Sequence, residues 1–222
     1  ELNELIKILK NKKPKILIID SKRIDKEYIV SIKKYCKVVI FEDEKTYNSN
    51  PHLIVNSNVW FKKMYVDSKN KLLGLKYNTI SNNFFKKNTF NENSKKILIS
   101  LGGEDPQNIS LKILKIVHNL ISGLKFVVIL EHYHPNKKSL YNFSKKNNVN
   151  LKIINSPEDI SKYLINLKFV ISAGGLSAYE FASAGIPQLI SILDNHQRLL
   201  VDTIINKKCG EKLIESKIFN KK

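Results

Sequence analysis

Residues 170–193 read "VISAGGLSAYEFASAGIPQLISIL", a stretch in which a Gly-Gly turn and one helix-length segment separate two apolar runs. Apolar runs of this length are typical of strands that are buried on both faces of a parallel sheet. A strand, a helix and a second strand in this order form a right-handed parallel unit. The stretch therefore predicts an α/β fold with parallel strands.

The same alternation extends along the chain. In the second half we expect strands over 95–101, 124–130, 150–155, 168–173 and 187–193, and helices over 108–121, 136–147, 157–165, 176–184 and 196–207. The first half adds strands over 15–20, 37–43 and 52–56, helices over 2–11 and 25–35, and an irregular connector over 57–94. This rhythm predicts doubly wound parallel sheets. A polar stretch at 86–95 predicts two domains, 1–90 and 91–222.

The composition narrows the classes of partner. The net charge of +18 comes almost wholly from lysine, and the lysines are spread along all 222 residues. A nucleic-acid interface clusters its positive charge and favours arginine, so we expect no nucleic-acid partner. Cys36 and Cys209 lie far apart without metal-ligand spacing, which predicts a reducing, cytoplasmic compartment. No apolar run approaches the roughly 18 residues of a membrane span.

The Gly-Gly turn has the features of an anion site. Gly174 and Gly175 let the backbone turn sharply, and the N–H groups at Leu176–Ala178 offer partial positive charge to a phosphate. Ser177 adds a hydroxyl, and Glu180 lies where a carboxylate could accept from the hydroxyls of a ribose. The alternative is that the glycines only make a tight turn and Glu180 only complements the helix dipole. The dinucleotide fingerprint and the Walker phosphate loop are both absent.

Two further polar loops follow strands of the same predicted sheet. The carboxyl ends of parallel strands meet at one edge, where open α/β sheets bind ligands. Three polar loops at one edge favour a site for a nucleotide or a nucleotide sugar. The additional candidates are Gly102, Gly103, Glu104 and Asp105 in the first loop, and Asn195, His196 and Gln197 in the second.

The segments "LISLGGEDPQNISLKIL", "FVISAGGLSAYEFASAGIPQLI" and "DNHQ" resemble the nucleotide-binding half of glycosyltransferase-B enzymes. They are most similar to the UDP-sugar hydrolases of pseudaminic acid biosynthesis and their spore-coat polysaccharide relatives. In the first half, "ILIIDSKRIDKEY" and "HLIVNSN" are also similar to that family. The resemblance implies two Rossmann-like domains, of which the N-terminal one is truncated in this chain.

The resemblance also implies a role for each matching position. The turn at 174–177 would hold the diphosphate of a UDP-sugar, and Glu180 would bind the ribose hydroxyls. The backbone near Ile154 and Asn155 would meet the uracil edge. Gly103, Glu104 and Asp105 of the first loop, with Asn195 and Gln197 of the second, would face the sugar and the cleft.

The implied reaction is hydrolysis that releases UDP from a UDP-linked diacetamido-trideoxy sugar, in surface glycan biosynthesis. Neighbouring glycan-biosynthesis enzymes are the other expected partners. One alternative is a sugar transferase that uses the same donor, and another is a nucleotide-binding remnant without catalysis. The phosphate and ribose contacts are common to the first two, so they do not separate them.

The chain departs from the family where catalysis is concerned. The family's Gly-x-Gly-His segment, whose histidine is the implied base, has no match and would precede Glu1, so no catalytic residue is assigned. We expect His196 to bind substrate or lie at the surface, and not to replace that histidine. His132 and His134 have the spacing of a metal pair but no third ligand nearby. We therefore expect neither a metal nor a cofactor.

Overall fold

The computed structural model describes residues 1–21, 23–42, 50–58, 70–85, 89–102, 105 and 107–213, with only the backbone of His196. The contacts divide the chain into two compact units, Glu1–Thr79 and Ile80–Lys222. Each unit is built around its own parallel sheet. The two units are therefore described in turn.

The first unit carries a four-stranded sheet. Its described elements are α1 (Leu2–Lys12), β1 (Ile16–Asp20), α2 (Lys26–Ile32), β2 (Lys37–Phe41), β3 (Leu53–Asn56) and β4 (Lys71–Leu73). The strands pair in the order β1-β2-β3-β4, and every pair is parallel. Leu9 of α1 and Ile29 of α2 share a buried cluster with Val38 and Ile40 of β2. Both helices therefore pack on one face of this sheet.

The second unit carries a six-stranded sheet. Its described strands and α-helices are β5 (Lys96–Ser100), α3 (Ile109–Leu120), β6 (Lys125–Leu130), α4 (Lys137–Lys146), β7 (Asn150–Asn155), β8 (Phe169–Ala173), α5 (Leu176–Ser183), β9 (Gln188–Ser191), α6 (Arg198–Asn206) and β10 (Glu211–Lys212). The strand order is β7-β6-β5-β8-β9-β10, and all pairs are parallel. The chain therefore adds β6 and β7 on one side of β5. It then returns to the other side of β5, where it adds β8, β9 and β10.

Helices cover both faces of this second sheet. Neighbouring residues of β8 show this, because side chains alternate between the faces of a strand. Ile171 joins a buried cluster with Leu114 of α3, whereas Val170 joins a different cluster with Phe181 of α5. The predicted doubly wound parallel sheet is confirmed, and its continuous apolar strands are explained by burial on two sides.

The predicted helix over 157–165 is wrong. The structure has only a short 3₁₀ turn, Ile160–Tyr163, which the carboxylate of Asp159 caps by accepting from the Ser161 N–H at 2.9 Å. The Lys96 ammonium donates to the carbonyls of Tyr163 and Ile165 at 3.0 and 2.9 Å. Since a distant lysine satisfies these carbonyls, the chain leaves the turn without continuing the helical hydrogen-bond ladder.

The connector predicted over 57–94 contains more structure than expected in its described part. It holds β4 and two 3₁₀ turns, Leu75–Tyr77 and Asn82–Phe85. Ile80 and Phe84 pack into the core of the second unit. The predicted domain boundary between residues 90 and 91 stays a prediction, and the structure adds that these two side chains belong to the second core. The two-residue strand β10 was also missed.

None of the described helices has the length and apolar character that crossing a bilayer requires.

Candidate functional site

The topology of the second sheet defines where a ligand can enter. The strand order reverses between β5 and β8, and doubly wound sheets bind ligands beyond the carboxyl ends of the strands at such a reversal. The strands β9, β8 and β5 are direct neighbours, and they end at Ser191, Ala173 and Ser100. The three polar loops predicted to share an edge therefore follow three adjacent strands.

The start of α5 leaves its first amides open. Gly175 is the N-cap, with φ −104° and ψ −164°, and no side chain among the described residues caps the helix. The Ala178 N–H donates to the Gly175 carbonyl at 3.0 Å. The N–H groups of Leu176 and Ser177 precede it and cannot bond within the helix. A Cβ added at Gly175 would meet no described atom within 4 Å, so the described residues leave space beside this turn for a ligand.

At position 174, glycine is explained by close packing. A Cβ added there would lie 2.5 Å from Cγ2 of Val201 and 2.9 Å from Cβ of Gln197. These atoms belong to α6 and the residue before it, so the missing side chain lets α6 approach the end of β8. The sequence analysis predicted the same role for both glycines, a sharp backbone turn at an anion site. The structure separates them, because close packing explains Gly174 and leaves Gly175 unexplained.

The N-terminus of α3, beside β5, is already occupied. Asp105 is only 3% exposed, and its two carboxylate oxygens accept from the N–H groups of Ile109 and Ser110 at 2.7 and 2.9 Å. The backbone carbonyl of Asp105 accepts from the Asn108 N–H at 3.0 Å. Of the two helices that start at the reversal, α3 is therefore capped by a carboxylate, whereas α5 has no side-chain cap from the part of the chain that the structure describes. A sugar contact by Asp105 stays a prediction that its own contacts do not support.

The first glycine of the β5 loop lies open at the same edge. Gly102 has φ +90°, a conformation that favours glycine, and a Cβ added there would meet none of the described atoms within 4 Å. The backbone can therefore be approached closely at this point. The predictions for Gly103 and Glu104 fall outside the described residues.

Glu180 lies one turn into α5 and is half-buried. Burial raises the pKa of its carboxyl group above the ordinary value. Among the described residues, its side chain has no hydrogen-bond or ion-pair partner. A partly desolvated carboxylate without a partner is well suited to accept from ligand hydroxyls, because its own desolvation is then compensated.

The loop between β9 and α6 is held by its own residues. The side-chain carbonyl of Gln197 accepts from the Leu193 N–H at 2.9 Å, and Asn195 Oδ1 accepts from Nε of Arg198 at 3.2 Å. Gln197 therefore fixes the loop beside Gly174, while Asn195 is exposed. Of His196 only the backbone is described, within the 3₁₀ turn Asn195–Gln197.

Ile154 and Asn155 lie at the end of β7, which is the outer strand of the sheet. Three strand spacings separate β7 from β8, or about 14 Å at the usual distance between strands. The structure therefore places these two residues on the same edge as α5 but does not bring them into contact with its first turn. Oδ1 of Asn155 is buried and has no hydrogen-bond partner among the described atoms.

The histidine pair in the β6–α4 loop does not form a metal cluster. His134 is 6% exposed, and its Nδ1 accepts from the Asn136 N–H at 3.1 Å. In the part of the chain that the structure describes, no three His, Cys, Asp or Glu side chains converge as metal ligands. The role of Asp105 as a helix cap was missed, although an acidic residue just before an apolar helical run is a recognised signal for it.

Comparison with known proteins gives the fold. No family model matches the chain. It is 28% identical over 221 residues to the uncharacterized protein MJ1062 of Methanocaldococcus jannaschii, covering 92% of this chain and 46% of that protein. It is 24% identical over 121 residues to the spore coat polysaccharide biosynthesis protein SpsG of Bacillus subtilis, covering 54% and 35%. The chain thus spans less than half the length of these two curated relatives.

Among solved structures, the crystal structure of Acinetobacter baumannii MurG is similar with a TM-score of 0.62, over 98% of this chain and 65% of that chain. At 11% sequence identity this likeness concerns the fold alone. It agrees with the two parallel sheets described above. The predicted fold class is thereby confirmed in this respect: the chain has an α/β fold with parallel sheets, and this fold is similar to that of MurG.

Proposed function

We propose that the second unit binds a nucleotide sugar, with the diphosphate on the open amides at the start of α5. The observation that carries this proposal is the contrast at the strand reversal. The first two N–H groups of α3 donate to an internal carboxylate, whereas those of Leu176 and Ser177 have no described side-chain acceptor and follow a glycine with open space around its Cβ position. Free helix amides combine hydrogen-bond donors with the positive end of the helix dipole, which suits a phosphate.

Glu180 gives the site its second contact. A nucleotide whose phosphates lie at the start of α5 brings its ribose near the next turn of that helix. The half-buried carboxylate of Glu180 then accepts from the ribose hydroxyls. The base extends toward the end of β7, where the backbone at Ile154 and Asn155 would bind it. Contacts of the sugar with Gly102, Gly103 and Glu104, and with Asn195, His196 and Gln197, stay predictions.

The reaction that we propose is hydrolysis of a UDP-linked diacetamido-trideoxy sugar. Water adds to the anomeric carbon, the bond from that carbon to the diphosphate oxygen breaks, and UDP leaves with the free amino sugar as the other product. Two observations support a role in surface glycan biosynthesis. They are the motifs similar to pseudaminic acid hydrolases and the relative whose name assigns it to spore coat polysaccharide biosynthesis. The catalytic base is left unassigned.

A sugar transferase is the second candidate, since every contact proposed above is to the nucleotide. The same donor would then lose its sugar to an acceptor hydroxyl instead of water. The resemblance of the motifs to glycosyltransferase-B enzymes supports this candidate equally. A nucleotide-binding protein without catalysis is the third.

One assay separates the three candidates. The protein is incubated with a UDP-linked 2,4-diacetamido-2,4,6-trideoxy sugar, and UDP release is followed with and without acceptor sugars. UDP release in water alone identifies the hydrolase, and release only with an acceptor identifies the transferase. Binding of UDP by calorimetry without turnover of any donor identifies the non-catalytic protein. If UDP, the donor and other nucleoside diphosphates all fail to bind, the proposed site is wrong.

A further inference from the structure

We propose that Asp105 is a positioning residue: its carboxylate occupies the start of α3 in place of a phosphate, so that the diphosphate binds at α5, and its contacts hold the described residues just before α3. The expected effect of Asp105 on substrate binding rests on the proposed function. Its structural basis is the set of hydrogen bonds around Asp105, which can be tested separately.

The carboxylate of Asp105 does at α3 what a phosphate does at a helix N-terminus. Its two oxygens bind the N–H groups of Ile109 and Ser110, the first two residues of the helix. Its negative charge lies at the positive end of the helix dipole. Because the group is 3% exposed, solvent anions do not compete with it easily. The N-terminus of α3 is thereby removed as an alternative place for phosphate.

Asp105 is also held from a second loop. The Asn136 side-chain amide donates to the Asp105 carbonyl at 3.4 Å, and the Asn136 N–H donates to Nδ1 of His134 at 3.1 Å. The side-chain amide of Asn108 donates to Ser139 Oγ at 3.3 Å, and Ser139 Oγ donates to the Asn136 carbonyl at 2.7 Å. These bonds link the loop before α3 to the start of α4 in a closed ring.

Two described residues before α3 have an uncommon backbone conformation. Asp105 and Asn108 have φ values of 32° and 53°, in the left-handed region that residues other than glycine rarely adopt. Such conformations persist only where surrounding contacts determine them. The carboxylate and the ring of side chains supply those contacts. They fix the distal end of the loop that begins at Gly102. This loop follows β5, and β5 pairs with β8, the strand that leads into α5.

The test compares Asp105→Ala and Asp105→Asn with the wild-type protein and with Asp25→Ala. Asp25 is the matched control, because its carboxylate caps α2 in the first unit by accepting from the Tyr28 N–H at 2.7 Å. Backbone amide signals are followed by NMR during titration with inorganic phosphate and with UDP, and UDP affinity is measured by calorimetry.

In the wild-type protein we expect both ligands to shift the amides of Leu176 and Ser177 and to leave those of Ile109 and Ser110 unchanged. In Asp105→Ala, inorganic phosphate should also shift Ile109 and Ser110, and UDP should bind roughly ten- to a hundredfold more weakly, the scale seen when positioning groups are lost. Asp105→Asn retains one acceptor and should give a smaller effect of the same kind. Asp25→Ala should change neither readout.

Phosphate shifts at Ile109 and Ser110 in the wild-type protein would overturn the inference, and so would unchanged UDP affinity in Asp105→Ala. If Asp105→Ala does not fold, Asp105→Asn carries both measurements. Failure of the proposed function looks different: UDP would then leave Leu176 and Ser177 unshifted in the wild-type protein, while the response of the α3 amides in the variants would still report on Asp105.

Discussion

Replacing Gly175 by aspartate would give α5 the same internal anion that α3 already has. The backbone at Gly175 is extended, with φ −104° and ψ −164°, which is the usual geometry of an N-cap residue and is open to any side chain. A Cβ at this position meets no atom of the described residues within 4 Å. The variant should therefore fold, with its carboxylate accepting from the amides at the start of the helix.

Gly175→Asp should raise the stability of the protein and lower its affinity for UDP. A good N-cap in place of glycine adds a few tenths of a kcal/mol, and a carboxylate at a helix N-terminus adds about 0.3–1 kcal/mol. We expect Tm to rise by about 1–4 °C, as such a gain implies for a unit of this size. Binding should weaken, because the diphosphate loses charge-assisted hydrogen bonds worth about 1.5–3 kcal/mol each. Two lost bonds amount to about 3 kcal/mol or more, roughly a hundredfold in Kd.

The assay combines thermal unfolding without ligand and calorimetric titration with UDP. Gly175→Ala is the control, because it adds a methyl group to the same open space and leaves the amides without a carboxylate. It should lose less than about tenfold in affinity and slightly destabilise the helix start, since alanine is a poor N-cap. A Gly175→Asp protein that is stabilised as expected but binds UDP within twofold of the wild-type affinity would refute the reasoning.

Three further predictions concern residues of α5 and the turn before it. Gly174→Ala should lower the free energy of unfolding by about 1–3 kcal/mol, measured by chemical denaturation, because its Cβ would lie 2.5 Å from Val201; an unchanged midpoint would contradict the packing role. Burial raises the pKa of Glu180 above its ordinary value of 4.5, so ionisation of this carboxyl opposes folding as the pH rises past that value. Glu180→Gln should therefore match the wild-type stability below that pH and exceed it at neutral pH, while UDP binding weakens by about 1–3 kcal/mol; equal stability across the pH range together with equal affinity would remove Glu180 from the site. Burial also raises the pKa of Tyr179 to about 12, and its hydroxyl has no partner among the described atoms, so Tyr179→Phe should keep or increase the stability at neutral pH; a clear loss in Tm would reveal a partner for this hydroxyl.

The candidate site could be located from the sequence but not analysed in detail. The loops after residues 100, 173 and 191 were placed together correctly, because parallel strands end at one edge whatever their order. The sequence could not show that their strands are direct neighbours, since the strand order depends on where β8 returns to the sheet. That return, beside β5, defines the reversal at which we propose the site.

The alternation of strands and helices was determined by the sequence itself. Apolar runs of strand length and helices with one apolar face can bury their surfaces only in a layered α/β fold, and this holds for any arrangement of the loops. The Gly-Gly turn and Glu180 likewise identified α5 as the helix to consider, because open amides and a nearby carboxylate are local features of the chain.

Only the tertiary structure distinguished residues that look alike in the sequence. Gly174 and Gly175 are adjacent glycines, and the approach of α6 within 3 Å of a Cβ at one of them, but not at the other, gives them different roles. Asp105 and Glu180 are both acidic residues near helix starts, yet one is satisfied by backbone amides and the other is left without a described partner. These differences arise from distances between elements that are far apart in the chain, and no local pattern encodes such distances.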